Sequence, residues 1–268
     1  MTKILLWARE GQTLPEHINE MLNFYGKYFI KSGYIQRVSR RLKIDYNTFN
    51  FGLINAILFH DVGKIIFQKS LHEPVSPSSF PHHEIMSSLL LHLVSDVYKL
   101  KISYDLHKFN INDLMTLTVH TTILAHHTPM GEERIIEPYS LNEVYKKYRN
   151  GNIKEKIFEA ISFLLEEVMK NVEDSFPEFK SHINIILNDV YSRTIIHDTD
   201  FKTYKQIFEK HLQHIYLLGE AKPLYVKASI IATRYLKVLM LADNFSACKS
   251  EVKGKKYFLD FDLSCMIS

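Results

Sequence analysis

Apolar residues return at helical intervals along most of this chain. Near its end Ala228, Ile231, Tyr235, Val238 and Ala242 advance in alternating steps of three and four, the spacing that keeps side chains on one face of an α-helix. His17, Met21, Phe24 and Tyr28 keep the same beat near the start. With 9 Gly and 8 Pro in 268 residues, the chain lacks the many tight turns that a sandwich or barrel needs. The expectation is all-α, a single compact helical domain over residues 1–268 with a sizeable core, since 46% of residues are hydrophobic.

Thr13 and Glu16 have capping-box spacing and Pro15 falls in a first turn, so a helix is expected to open there and run through Tyr28. Further helices are expected over about 50–64, 81–100, 112–127, 153–171, 178–192, 200–218 and 223–245. The Pro- and Ser-rich run 73–81 reads as a loop, and the polar stretch 128–152 as a surface excursion. Residues 250–268 read as a short β-hairpin or an irregular tail.

A net charge of +3, from 33 basic and 30 acidic residues, does not by itself mark a nucleic-acid binder. Basic residues do gather at 37–43, 145–156 and 249–256. Each cluster is either a solvated face or a surface that tracks phosphates. Cys248 and Cys265 show no CxxC spacing, which offers no cysteine zinc site and fits a reducing cytosol. The apolar run 4–8 is shorter than a signal-peptide core, and no apolar run approaches 18 residues. A cytoplasmic location without a membrane partner is therefore expected.

Of the 14 histidines, His72, His92, His107, His182, His197, His211 and His214 read as ordinary surface or half-buried residues. The informative ones lie at helix ends on apolar faces. His17 is in a first turn, His60 and Asp61 end the second expected helix, His82 and His83 start the third, and His126 and His127 end the fourth. Asp243 comes one turn after Leu239, at the inner end of the last helix. Burying a carboxylate without compensation is expensive, and neutral imidazoles with carboxylates are the natural ligands of divalent cations. Neighbouring residues on a helix differ in direction by about 100°, so His60 and Asp61 flank a point beyond the helix end. Two cations about 3.5–4 Å apart would suit them, with the Asp61 carboxylate bridging both. The His126–His127 pair repeats that geometry.

The ordered set H…HD…H…HH…D resembles the HD superfamily of metal-dependent phosphohydrolases, and more narrowly the stand-alone HD nuclease subunit of type I CRISPR interference. The opening "WAREGQTLPEH", the central "LFHDVGK", the "HHEIMS" element, "ILAHHTP" and "LADNFSA" carry the likeness, in islands from residue 5 to about 247. The H-E-x-x-S pattern selects His83 over His82, because His83 precedes Glu84 and Ser87 completes it. One departure stands at Arg9–Glu10, where that family commonly has a histidine.

The resemblance implies that His17, His60, Asp61 and Asp243 hold one cation and that Asp61, His83, His126 and His127 hold a second, with a water activated between them attacking phosphorus. Asp61 and Lys64 are the implied catalytic residues, Lys64 contacting the phosphate or holding the aspartate, against the alternative of a plain surface lysine. Histidine-rich ligation favours Mn, Ni, Co or Fe over Mg. The implied substrate is single-stranded DNA, such as the strand displaced when an RNA guide pairs with its target, and RNA is a further candidate. The implied partners are an RNA-guided surveillance complex and a separate CRISPR helicase, since no G-x-x-x-x-G-K-[ST] loop occurs in the chain. Two other readings compete: an HD phosphohydrolase acting on nucleotides, and a non-catalytic subunit using these histidines structurally.

Overall fold

A computed structural model of the chain describes residues 4–72, 77, 79–127, 138–172, 177–216 and 222–250. The proposed hairpin or tail over 250–268 lies outside the described residues, apart from the backbone of Ser250, as do most of the 73–81 loop and residues 128–137. The architecture is all-α. Two short strands, β1 (Trp7–Arg9) and β2 (Gln12–Thr13), pair antiparallel in front of α1 (Leu14–Tyr25). At the start of α1 the Glu16 carboxylate accepts from both the backbone N–H and the hydroxyl of Thr13, at 2.9 and 2.7 Å. A π-helical segment, Gly26–Ile30, extends α1.

Two helices form the centre. In α3 (Tyr46–Phe59) every residue from Gly52 to Phe59 is buried, and in α5 (Ile111–Ala125) every residue from Asp113 onward. Helices apolar on all sides belong inside. Their starts are capped by side chains: Asp45 accepts from Thr48 N–H at 3.0 Å and Asn110 from Asp113 N–H at 2.8 Å. Tyr46–Phe67 is long and apolar enough to cross a membrane, but 94% of its 18-residue apolar window is buried in this core. Around the pair pack α4 (His83–Val94) and the long α11 (Pro223–Ser250), which lies against both α5 and α1. The outer helices are α7 (Ile157–Asn171), α8 (Pro177–Tyr191), α9 (Asp198–Ile207) and the single turn α10 (Gln213–Tyr216).

Several boundaries differ from those expected. A basic helix, α2 (Tyr34–Leu42), was not expected; it packs on α3 and buries Ile35 and Val38. The polar stretch 128–152 is not irregular throughout, because α6 (Pro138–Asn150) buries Leu141, Val144 and Tyr148 at i, i+3 and i+7. The second expected helix starts earlier, at Tyr46, and breaks at His60 into a 3-10 segment, Val62–Phe67. The third ends at Val94, short of residue 100. Beyond it residues 95–110 are held by buried imidazoles. His92 accepts from Leu100 N–H at 2.9 Å, His120 donates to Tyr98 O at 2.9 Å, and His211 donates to Ile102 O at 3.0 Å. His92, His182 and His211 are thus buried residues.

Candidate metal centre

Where chain segments distant in sequence meet, the inner ends of α1, α3, α4 and α5 converge on Asp61. The α-helix of α3 stops at Phe59, leaving His60 as its last turn and Asp61 just beyond. The next residues turn sharply, and Gly63 lets them lie against the start of α4. There the Gly63 N–H donates to Ser87 Oγ at 2.8 Å. This contact sets Asp61 opposite His83, the first residue of α4. His82, by contrast, is a left-handed residue at φ 54° whose ring turns towards Glu143, 3.6 Å away. The Gly and the Ser of two separate motifs therefore act together as one fixing point.

Asp61 is buried, and its two carboxylate oxygens face different partners. Oδ2 lies 3.4 Å from His17 Nε2, 3.4 Å from His60 Nε2 and 2.7 Å from Lys64 Nζ. Oδ1 lies 2.8 Å from His83 Nε2 and 3.7 Å from His126 Nε2. The ligand atoms of His17, His60 and Asp61 fall within 4.8 Å of one another, as do those of Asp61, His83, His126 and His127. The two groups share Asp61; the second has the residues the resemblance implied, and the first has them without Asp243. Asp243 touches that first group at one member, with Oδ1 3.3 Å from His17 Nε2. It sits inside α11, which continues to Ser250, so it does not end that helix.

Hydrogen bonds fix which ring nitrogens look inward. The Nδ1–H groups of His60, His83 and His126 donate to the carbonyls of Ile57, Phe80 and Ile123, at 2.8, 2.7 and 2.6 Å. Ser246 plays that part for His17. Its hydroxyl donates to Glu20 Oε2 at 2.8 Å, a carboxylate that only accepts. Ser246 Oγ is then free to accept from His17 Nδ1 at 2.9 Å and from Gln12 Nε2 at 2.9 Å. All four rings thus turn Nε2 towards the centre, and in their neutral forms they offer its lone pair there.

Those lone pairs face one another or an anion. His17 Nε2 is 3.3 Å from His60 Nε2, and His83 Nε2 is 3.2 Å from His127 Nε2. Among the described residues, His126 Nε2 and His127 Nδ1 are buried with no hydrogen-bond partner. Acceptors crowded around an anion in a dry site repel unless a cation or extra protons lie between them. The donor set, imidazole nitrogen with carboxylate oxygen, fits a divalent transition cation. These buried groups could therefore hold metal.

The charges are balanced locally. Burial pushes the Asp61 carboxyl up, but the Lys64 ammonium and the surrounding rings outweigh it and hold Asp61 well below the usual carboxylate range. Burial pushes His60 and His127 down, favouring the neutral form that binds metal. Burial acts the same way on His126, yet the adjoining Asp61 carboxylate raises it overall. Asp243 lies below its usual range despite burial, chiefly through His17.

Lys64 is not a surface lysine. It is buried, and its ammonium joins Asp61 to the Ala8 carbonyl of β1 at 3.1 Å. Arg9, where the HD pattern commonly has histidine, donates to Asp243 Oδ1 at 3.1 Å and is 28% exposed, at the open edge of the centre. Sequence reasoning missed Arg9, Gln12 and Glu20 as members of this site. Ser246 stood within a quoted motif but without a role. Comparisons of the chain with family models, with curated proteins and with solved structures return no match.

Proposed function

We propose that this protein is a metal-dependent nuclease of the HD type that hydrolyses phosphodiester bonds in single-stranded DNA. On this reading it works in the cytoplasm as the nuclease of type I CRISPR interference, beside a separate helicase and an RNA-guided complex. The observation that carries the reading is the split of the Asp61 carboxylate between two histidine groups, with Nε2 atoms turned towards it on both sides. That arrangement is what a pair of cations sharing one carboxylate requires. Bound there, Mn, Ni, Co or Fe would supply Lewis acidity, neutralising phosphate oxygens and acidifying a water.

The chain's own groups have distinct parts in this scheme. Lys64 donates to Asp61 Oδ2, fixing the carboxylate and compensating its charge, and Asp61 would be a ligand to both cations. Ser246 and Glu20 hold the His17 ring with Nε2 inward, and the backbone carbonyls of residues 57, 80 and 123 do so for the other rings. The Arg9 guanidinium, partly exposed and bonded to Asp243, would take charge developing on a phosphate that enters beside it.

The test is incubation of purified protein with a labelled single-stranded oligonucleotide across a panel of divalent ions. Cleavage by the wild type and none by Asp61→Asn is the expected result. Hydrolysis of nucleoside triphosphates with DNA left intact would instead favour the nucleotide phosphohydrolase. Absence of bound transition metal after loading, by elemental analysis, would leave only a structural use of the histidines.

A further inference from the structure

Charge is distributed very unevenly over this protein. Residues 26–44 carry six Lys or Arg and no Asp or Glu, and residues 222–242 carry four and none. Those ten come from a total of 33 basic residues, so the rest of the chain has 23 basic against 30 acidic and is net negative. All ten side chains are exposed. The two segments meet in space at Tyr34, the first residue of α2, where Lys237 of α11 lies with Nζ 5.7 Å from the ring. Burial pushes the Tyr34 hydroxyl up, and the positive charges of Arg234, Arg37 and Arg41 act against that rise. One face is therefore built from the outer side of α2 and the outer side of α11, with no carboxylate contributed by either segment.

We propose that this α2–α11 face binds single-stranded nucleic acid through its phosphate backbone. The proposal rests on the nuclease reading only for what happens to the strand afterwards. A face of one sign, on a protein otherwise of the opposite sign, attracts a polyanion and releases its counterions. Half-buried aromatic rings adjoin it. Tyr28 lies under Lys27 Nζ at 5.1 Å, and Phe245 of α11 packs at 6.5 Å from Tyr28, offering ring surface of the kind on which unpaired bases stack. The same helix joins face and metal centre. Asp243 follows Lys237 by six residues, about 9 Å along the axis and a third of a turn around it. A membrane fits less well, since a docking helix presents Trp, Phe or Leu to lipid, whereas the exposed apolar residues between these cations are only Val226 and Ile230.

The experiment is fluorescence anisotropy of a labelled oligothymidylate of about 20 nucleotides with the full chain, in EDTA so that the probe stays intact. The charge-reversed set is Arg37→Glu, Arg41→Glu and Lys237→Glu. A control set of equal charge, Lys146→Glu, Lys154→Glu and Lys202→Glu, changes exposed lysines elsewhere. The expected result is at least about a tenfold loss of affinity in the first set and a shallower dependence on salt, by about 2 in slope for three lost phosphate contacts. The control set stays within about threefold of wild type. A third set, Arg37→Lys, Arg41→Lys and Lys237→Arg, keeps the charge and is expected to bind within about threefold, which separates charge from damage to the fold. Equal loss in both reversed sets, no loss in the first, or loss in the charge-keeping set overturns the proposal. So does capture by phosphatidylserine vesicles without oligonucleotide binding. Wild-type hydrolysis of bis(p-nitrophenyl) phosphate with Mn²⁺ reports on the metal centre separately, so failure there leaves the binding comparison intact.

Discussion

Gly63 places its bare α-carbon against the carbonyl of His83, where an added methyl group would overlap the oxygen and stand 2.7 Å from Ser87 N. Both obstacles are backbone at the start of α4, so neither can swing aside. The substitution Gly63→Ala must push α4 away from the 3-10 segment, and with it His83 away from Asp61. Overpacking of this kind costs about 3 kcal/mol. The expected outcome is a lowered urea midpoint together with weakened Mn²⁺ binding by calorimetry. A Gly63→Ala protein with wild-type metal affinity would show that this contact does not set the centre.

Lys64 gives a different signature. Its ammonium, 2.7 Å from Asp61 Oδ2, is the one fixed cation against that buried carboxylate among the described residues. Removing one partner of a buried pair leaves the other uncompensated, at about 3–5 kcal/mol. Lys64→Met should therefore melt well below wild type in chelator. Saturating Mn²⁺ should then recover more stability in the variant than in wild type, because bound cations replace the lost charge. Equal metal-induced shifts in the two proteins would argue against this role.

What the sequence made legible is the part written in local periodicity and in short motifs. His17, His60, His126 and His127 each lie at an inner helix end that spacing locates, His83 is picked from its neighbour His82 by the H-E-x-x-S pattern, and Asp61 sits between them. The missing parts have no local signal. Strands of three and two residues show no period, so β1 and β2, which bring Arg9 and Gln12 to the centre, could not be read. Helix α6 buries so few apolar residues that its polar majority hid it. Glu20 reaches the site through Ser246, 226 residues away in sequence. An excess of basic residues in α2 drew attention to charge and away from Ile35 and Val38, which make it a packed helix.

Ser246→Ala should act on one half of the centre. It removes the acceptor of His17 Nδ1–H and breaks the link to Glu20, while the bonds that orient His83 and His126 run to backbone carbonyls and are untouched. Loss of such an outer partner lowers metal affinity about 10–100-fold. Titration with Mn²⁺ should therefore show one binding step weakened by at least about tenfold and the other preserved. Two equally weakened steps would mean that the relay supports the fold at large instead of His17.

Acid should destabilise this protein through histidines that have no part in the centre. Burial holds His92 and His182 down to about 4 and His120 down to about 3, whereas the unfolded rings titrate near 6.5. Between those values the unfolded chain takes up protons that the folded one refuses. Stability is therefore fully present above about pH 7 and falls as pH drops from about 6.5 towards 4, by up to about 3 kcal/mol per ring. His182 shows the structural reason. Its Nε2 accepts from the Asn55 side-chain amide, and its ring stacks on Phe51 at 4.9 Å, so a proton there breaks the bond and charges a packed ring. Urea midpoints measured in chelator from pH 7.5 to 4.5 should fall steeply in wild type. They should fall less steeply in His182→Gln, by up to one proton's worth of slope, since glutamine does not titrate. Parallel pH profiles for the two proteins would place the acid sensitivity in other groups.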